Sequence, residues 1–261
     1  MIFTEDCNIR QCTEIGKNIY VLSFHAPDIA RSAKAGQFVN IKTDNSCDPL
    51  LRRPFSIYRI SGEYIEIIFN IVGKGTYLLA HKKPEDTINL IGPLGVPYTA
   101  EDTYSTALLI SGGLGIAPMP FLTNTLQKIE KPLINFVGAR SKDLLVLSHL
   151  ANVNVATDDG SEGFHGSVVK CAEEYCNTHD VASPKIFACG PNKMLEAVSD
   201  FAAKNNIPCE VSLECAMACG IGICQGCPVE MTEGARKYNL VCKDGPTFDT
   251  RRINIESLIS H

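Results

Sequence analysis

The chain of 261 residues reads as a mixed fold of three successive units. These are an antiparallel β-barrel over residues 1–101, an α/β parallel-sheet unit over 102–208 and a small cysteine-built unit over 209–261. Three observations predict this. Short β-branched and aromatic runs broken by turn residues fill the first hundred positions. Apolar strands then alternate with helix-length segments, and Cys215, Cys219, Cys224, Cys227 and Cys242 crowd the last fifth. A composition of 45% hydrophobic and 20% charged residues excludes a disordered chain. The net charge of −5 leaves no basic footprint for a nucleic-acid backbone or an anionic membrane surface.

Taken in order, residues 18–24, 38–42 and 64–72 have the partly alternating β-branched pattern of short strands, and Gly92-Pro-Leu-Gly95 has the form of the turn that closes the barrel. The first residues carry Glu5 and Asp6 where an export signal would carry Lys or Arg, so the chain is expected in the cytoplasm. Residues 103–127 hold no charge, yet Gly112, Gly113, Gly115, Pro118 and Pro120 would break a membrane-spanning helix. The stretch is expected to be a buried strand, a glycine loop and a helix start. Strands at 107–110, 133–137, 153–156 and 185–188 alternate with helical segments at 121–130, 167–178 and 192–205, the pattern of a parallel, doubly wound sheet. After Pro208 the helical pattern stops.

Twelve cysteines without an export signal point to thiols in a reducing compartment. Cys7, Cys12, Cys47, Cys171, Cys176, Cys189 and Cys209 are scattered, as small buried hydrophobes are. The crowded set differs. Cys219, Cys224 and Cys227 follow C-x4-C-x2-C, with Cys242 more distant, the spacing that holds a plant-type 2Fe–2S cluster. Two irons need four thiolates, and three on one loop must curl around the inorganic sulfides. Gly220, Gly222 and Gly226 are expected to take positive φ there and turn backbone N–H groups inward. A structural zinc would ask for two C-x2-C knuckles, and only Cys224/Cys227 is present. Cys215 reads as a bystander, with ligand exchange as its other reading.

Arg52-Arg-Pro-Phe-Ser-Ile57 ends the barrel segment. An arginine fork can grip a pyrophosphate while an aromatic packs on a flavin ring and a hydroxyl approaches its edge. Arg53, Pro54, Phe55 and Ser56 are the candidates, and the plainer reading is a β-turn with a surface arginine. Gly73-Lys-Gly-Thr76 offers Gly75 and Thr76 as a second phosphate contact, or simply a glycine turn capped by Thr76. Gly112, Gly113 and Gly115 stand between a strand and a helix, where backbone can approach a pyrophosphate, although Pro118 takes the third glycine position of the usual fingerprint. Cys189 and Gly190 of Cys189-Gly-Pro191 lie at the sheet edge where doubly wound folds bind ligands; a buried cysteine before a Pro-started helix is the alternative. Gly138-Ala-Arg140 and Asp158-Asp-Gly160 end strands on the same edge.

In this order the motifs R-P-F-S, G-G-L-G-I-A-P and C-G-P resemble the ferredoxin–NADP reductase superfamily. Ser212-Leu-Glu214, Met217-Ala-Cys-Gly-Ile-Gly222 and Val241-Cys-Lys-Asp-Gly-Pro246 make the likeness closer to the electron-transfer subunits of NAD-dependent dihydroorotate dehydrogenase. The resemblance covers essentially the whole chain. It implies FAD held by Arg53, Pro54 and Ser56, with Phe55 beside the ring where the superfamily often has tyrosine, and Gly75 and Thr76 at the pyrophosphate. Gly112, Gly113, Gly115, Cys189 and Gly190 would line the NAD side, with Ser56 and Cys189 as catalytic candidates. Cys219, Cys224, Cys227 and Cys242 would ligate the 2Fe–2S cluster. The family passes electrons from FMN on a separate dihydroorotate-oxidising catalytic subunit through the cluster and FAD to NAD⁺ in pyrimidine (UMP) biosynthesis. Its assembly is a heterotetramer of two subunits of each kind, and no dihydroorotate site is expected on this chain. The superfamily's terminal aromatic lid gives way to Ile259-Ser-His261. The small subunit of a ferredoxin:NADP oxidoreductase, hydrogenase or sulfide dehydrogenase would share these motifs. A zinc-binding, non-enzymatic interaction module would share only the cysteines. NAD rather than NADP rests on the resemblance, since Ser141 and Lys142 could accept a 2′-phosphate and Asp143 would oppose it.

Overall fold

The structure is a computed structural model that describes residues 1–44 and 48–258; Cys47 and Ile259-Ser-His261 lie outside the described residues. The first hundred residues form one antiparallel sheet of β1 (Phe3–Gly16), β2 (Ile19–His25), β3 (Phe38–Lys42), β4 (Arg53–Ser56), β5 (Arg59–Ser61), β6 (Tyr64–Asn70) and β7 (Thr87–Leu94). Short helices α1 (Pro27–Ser32) and α2 (Lys74–Ala80) interrupt it. The strand order is β4-β3-β7-β1-β2-β6-β5. The sheet curls until β4 comes against β6, with the rings of Phe55 and Phe69 5.7 Å apart. Curling buries the inward-facing set Leu22, Phe24, Val39, Ile41, Ile65, Ile67 and Leu90 in one interior. Gly92-Pro-Leu94 belongs to β7 rather than to a closing turn. The chain turns at Gly95, whose φ of 78° suits glycine.

The second sheet contains β8 (Thr106–Gly112), β9 (Leu133–Ala139), β10 (Val153–Thr157), β11 (Phe164–His165), β12 (Pro184–Cys189) and β13 (Cys209–Ser212). They run parallel in the order β11-β10-β9-β8-β12-β13. Helix α3 (Met119–Lys128) covers one face through Met119, Leu122 and Leu126, packed with Ala107, Leu109 and Val137. Helices α4 (Val168–Thr178) and α5 (Asn192–Lys204) cover the other through Val168, Leu195 and Val198, packed with Leu108 and Ile110. Strand β8 therefore reads as a continuous apolar run, because both its faces are buried. The uncharged stretch of residues 103–127 folds as β8, a glycine turn and most of α3. No helix among the described residues is long and apolar enough to cross a membrane.

Strand β13 lies beyond the division expected at residue 208. It pairs with β12, Ile186 opposite Cys209 and Cys189 opposite Ser212. The chain then leaves the sheet through β14 (Pro228–Met231), β15 (Tyr238–Leu240) and the one-turn helix α6 (Val241–Asp244). It returns as β16 (Thr247–Asp249), antiparallel to β13 with Ser212 opposite Thr247. Strand β17 (Ile253–Asn254) then pairs with β14, completing a three-stranded sheet. Barrel and second sheet share a core in which Ile19, Tyr58 and Ile68 meet Leu109 and Leu122. Lys185, 3% exposed, pins the linker between them: its Nζ donates to Thr99 O at 3.2 Å and pairs with Asp102 and Glu210, each at 2.9 Å.

Candidate functional site

A cavity of about 310 Å³ opens where the three units meet. Strand β4 lines it with Arg53, Pro54, Phe55 and Ser56, and the antiparallel register of β3 and β4 sets Phe38 opposite Ser56 and Ile41 opposite Arg53. Among the described residues the guanidinium of Arg53 donates to the carbonyls of Leu51 (2.6 Å) and Arg52 (3.3 Å), which leaves its charge for an anion. Gly75 makes room for it, since a Cβ there would stand 3.1 Å from Arg53 Nε. Thr76 also lines the cavity, but its Oγ1 accepts from the N–H groups of Val72 (3.0 Å) and Gly73 (3.2 Å) and donates to Gly73 O (3.1 Å). That hydroxyl is engaged within the turn, so a phosphate contact from Thr76 would come through its backbone.

Gly115 and Cys189 bring the second sheet into the same cavity. A Cβ on Gly115 would lie 2.2 Å from Cys189 O, one on Gly112 2.6 Å from Met194 Sδ, and one on Gly190 2.6 Å from Met194 Cε. These three glycines let the loops after β8 and β12 interlock at the point where strand order switches sides, the place where such sheets open a crevice. Gly113 is different. Its φ is 55°, and a Cβ there would meet nothing within 4 Å, so it faces open space. Burial, then the charge of Glu214, pushes the Cys189 thiol up to about 12, which keeps it a neutral S–H at neutral pH. The end of β12 is held by Tyr98, whose hydroxyl donates to Ala188 O at 3.0 Å.

The four cysteines expected as ligands fall into two pairs. Cys224 N–H donates to Cys219 Sγ at 3.4 Å. Cys227 and Cys242 are buried with their sulfurs 3.2 Å apart. Burial would raise the Cys219 thiol, but the N–H groups of Cys224, Ile221 and Ile223 outweigh it and bring it down to about 6. Hydrogen bonding from Cys215 outweighs burial at Cys227 and lowers its thiol, while burial and the neighbouring Cys227 raise Cys242. Gly220 (φ 70°) and Gly222 (φ 83°) take the left-handed turns expected of them. Gly226 does not: the left-handed residue is Gln225 (φ 61°), whose side chain donates to Gly222 O at 2.9 Å and holds the turn itself. Among the described residues no three His, Cys, Asp or Glu side chains converge on one metal position. Four thiols in two pairs suit two irons taking two thiolates each better than one metal taking four.

Ser212, Glu214, Cys215, Met217 and Pro246 also line the cavity and were not singled out as site residues from the sequence. Their signal is positional: they flank the first and last expected ligands, and all but Cys215 fall inside the stretches that carry the closer resemblance.

Comparisons with known proteins agree with this geometry. Residues 214–254 match the family model of the iron–sulfur cluster binding domain of dihydroorotate dehydrogenase B. Over 256 residues the chain is 36% identical to the dihydroorotate dehydrogenase B (NAD(+)), electron transfer subunit, of Desulforamulus reducens, covering 95% of this chain and 97% of that one. The protein of the same name from Geobacillus kaustophilus matches to the same extent. Among solved structures, that of an NADH-dependent reduced ferredoxin-NADP oxidoreductase superposes with a TM-score of 0.86 at 27% identity, covering 97% of this chain and 91% of that one. A ferredoxin NADP+ reductase from Neisseria gonorrhoeae with bound FAD and NADP shares the fold, with a TM-score of 0.65 at 14% identity over 77% of this chain and 91% of that one.

Proposed function

Because the chain belongs to the family of dihydroorotate dehydrogenase B (NAD(+)) electron transfer subunits, we propose that it carries electrons from a catalytic partner to NAD⁺. The route runs from the partner's FMN through a 2Fe–2S cluster and FAD on this chain, so that dihydroorotate oxidised on the partner yields NADH during pyrimidine synthesis. The observation that carries this reading is the shared cavity: one wall is Arg53-Pro-Phe-Ser56, another Gly115 and Cys189, a third the Ser212–Met217 segment that leads into Cys219.

FAD, when bound, supplies the exchange between one-electron traffic with an iron–sulfur centre and hydride exchange with nicotinamide. The chain's own residues hold and orient. Arg53 presents its guanidinium, bonded only to carbonyls among the described residues, to the pyrophosphate, Phe55 offers an aromatic face and Ser56 a hydroxyl beside the ring. Gly113 leaves open backbone for the nicotinamide nucleotide. Cys189, kept protonated, closes that side without acting as a nucleophile. Cys219, Cys224, Cys227 and Cys242 hold the cluster, with two sulfurs biased toward thiolate by their neighbours. Residues 1–101 would serve FAD, 102–208 NAD, and 209–261 the cluster, with the strand of residues 209–212 shared between the last two. Dihydroorotate oxidation is assigned to the FMN-bearing partner, in a heterotetramer of two subunits of each kind.

The 27% identity to an NADH-dependent reduced ferredoxin-NADP oxidoreductase keeps a second reading in play, with a different partner delivering electrons to the same module. Co-purification from the native cell separates them. An FMN-bearing partner, with NADH formed from dihydroorotate only when both chains are present, supports the first reading. A different partner and no response to dihydroorotate supports the second.

A further inference from the structure

Asn40 sits in the middle of β3, between the buried Val39 and Ile41, and is itself 1% exposed. An amide there is costly unless it is bonded, and an aliphatic residue would pack without that cost. Its Oδ1 has no hydrogen-bond partner among the described residues. Among the described residues the one bond its side chain makes goes to the cysteine segment: Nδ2 donates to the carbonyl of Cys219 at 3.1 Å. Gly220, the next residue, has φ 70°, and a Cβ there would stand 2.5 Å from Asn40 Nδ2. The loop is thus shaped around this amide. Behind Asn40, its backbone carbonyl accepts from Arg52 Nη1 at 3.3 Å, and Arg52 also donates to Asn89 O at 2.9 Å. Arg52 adjoins Arg53, so a continuous strut runs from the arginine of the flavin motif to the first cysteine ligand.

We propose that Asn40 is a positioning residue for the cluster loop. By holding the Cys219 carbonyl against the flavin-side sheet, it fixes the turn whose N–H groups face the Cys219 sulfur, and so raises the reduction potential of the cluster. The physical basis is that N–H donors aimed at a ligand sulfur stabilise the extra negative charge of the reduced centre. Cys224 N–H, 3.4 Å from Cys219 Sγ, is such a donor. This inference rests on the assignment of Cys219, Cys224, Cys227 and Cys242 as the 2Fe–2S ligands.

The test is a redox titration followed by electron paramagnetic resonance on the anaerobically purified full chain, comparing wild type with N40A and N40L. In N40A the reduced-to-oxidised ratio of the cluster at a fixed solution potential is expected to fall about tenfold, equivalent to about 59 mV for a one-electron couple. The g values should change and the FAD midpoint should stay in place. N40L keeps a side chain of similar shape but loses the donor without adding charge, so its cluster midpoint should fall as far; a packing role alone would leave it near wild type. Unchanged cluster midpoints and spectra in both variants would overturn the proposal. Wild-type protein purified without iron and sulfide would overturn the ligand assignment instead. Should a variant lose its cluster, amide hydrogen exchange at Ile221 and Cys224 in cluster-free wild type and variant decides: faster exchange in the variant supports the strut, and equal exchange overturns it.

Discussion

Cys189 and Gly115 meet at the floor of the cavity, and each makes a separate prediction. With its pKa held at about 12, Cys189 is almost wholly un-ionised at about pH 8, where an ordinary thiol near 8.5 is partly thiolate. Iodoacetamide should therefore leave it unmodified at that pH in the native protein and alkylate it progressively as the pH rises, read by mass spectrometry of its peptide. Gly115 has no such chemistry but no spare space either. In G115A the new methyl would press on Cys189 backbone, which cannot swing away as a side-chain tip can. A loss of roughly 1–3 kcal/mol of stability is expected, together with a raised KM for NADH in a ferricyanide assay; a wild-type melting curve and KM would refute the close-approach account. At this scale the cysteine ligand pattern was legible because its spacing is local. Glu214 and Asn40 were not, since what they do depends on Cys189 and Cys219, residues brought near only by folding.

Among the elements, the parallel strands were the easiest to read. Strand β8 is a local apolar run covered by helices on both faces, and its pattern states that directly. Strand β1 gave no such signal: only Cys7 and Ile9 of its fourteen residues are buried, so polar residues mask it. Strands β13 and β16 are four and three residues long and find each other across the whole cysteine segment, a non-local pairing that no window of sequence displays. The interface they help build depends on Lys185. In K185M, Glu210 and Asp102 lose their cation, and the half-buried Glu210, its side chain 14% exposed, should cost about 2 kcal/mol in stability. A bond from Lys185, reinforced by Thr103, holds the Asp102 carboxyl below its usual range. A depressed folded pKa means that this contribution is present above the unfolded value, about 3.9, and is lost as the pH falls through the folded one. The gap in melting temperature between wild type and K185M should therefore narrow below about pH 4, and a constant gap would show the pair to be irrelevant to acid stability.

The whole molecule divides into two sheets with dense cores and a cysteine loop that has almost no regular structure between β13 and β14. Stability is expected to follow that division, with the loop depending on its metal centre and the sheets on their apolar packing. Removing iron with a chelator should raise amide exchange over residues 214–227 and at α6, while β8, β12 and the inner barrel strands stay protected. Uniform loss of protection would mean that the cluster supports the entire fold. Fold class and the order of the three units were legible at this scale, because each composition differs from the next. The cavity between them was not, since its walls come from three stretches far apart in the chain.

The opposition of Ser212 and Thr247 across β13 and β16, extended by Leu213 N–H donating to Pro246 O at 2.9 Å, has a consequence for engineering. Residues 213–246 leave and re-enter the molecule at adjacent points, as an insertion does, and not as an appended tail. A two-residue hairpin turn spliced between those points, with β17 trimmed, would keep both sheets while removing the electrical inlet and, with it, one wall of the cavity. The same two positions form a docking port into which a foreign redox cassette could be grafted without rewiring the strands behind it.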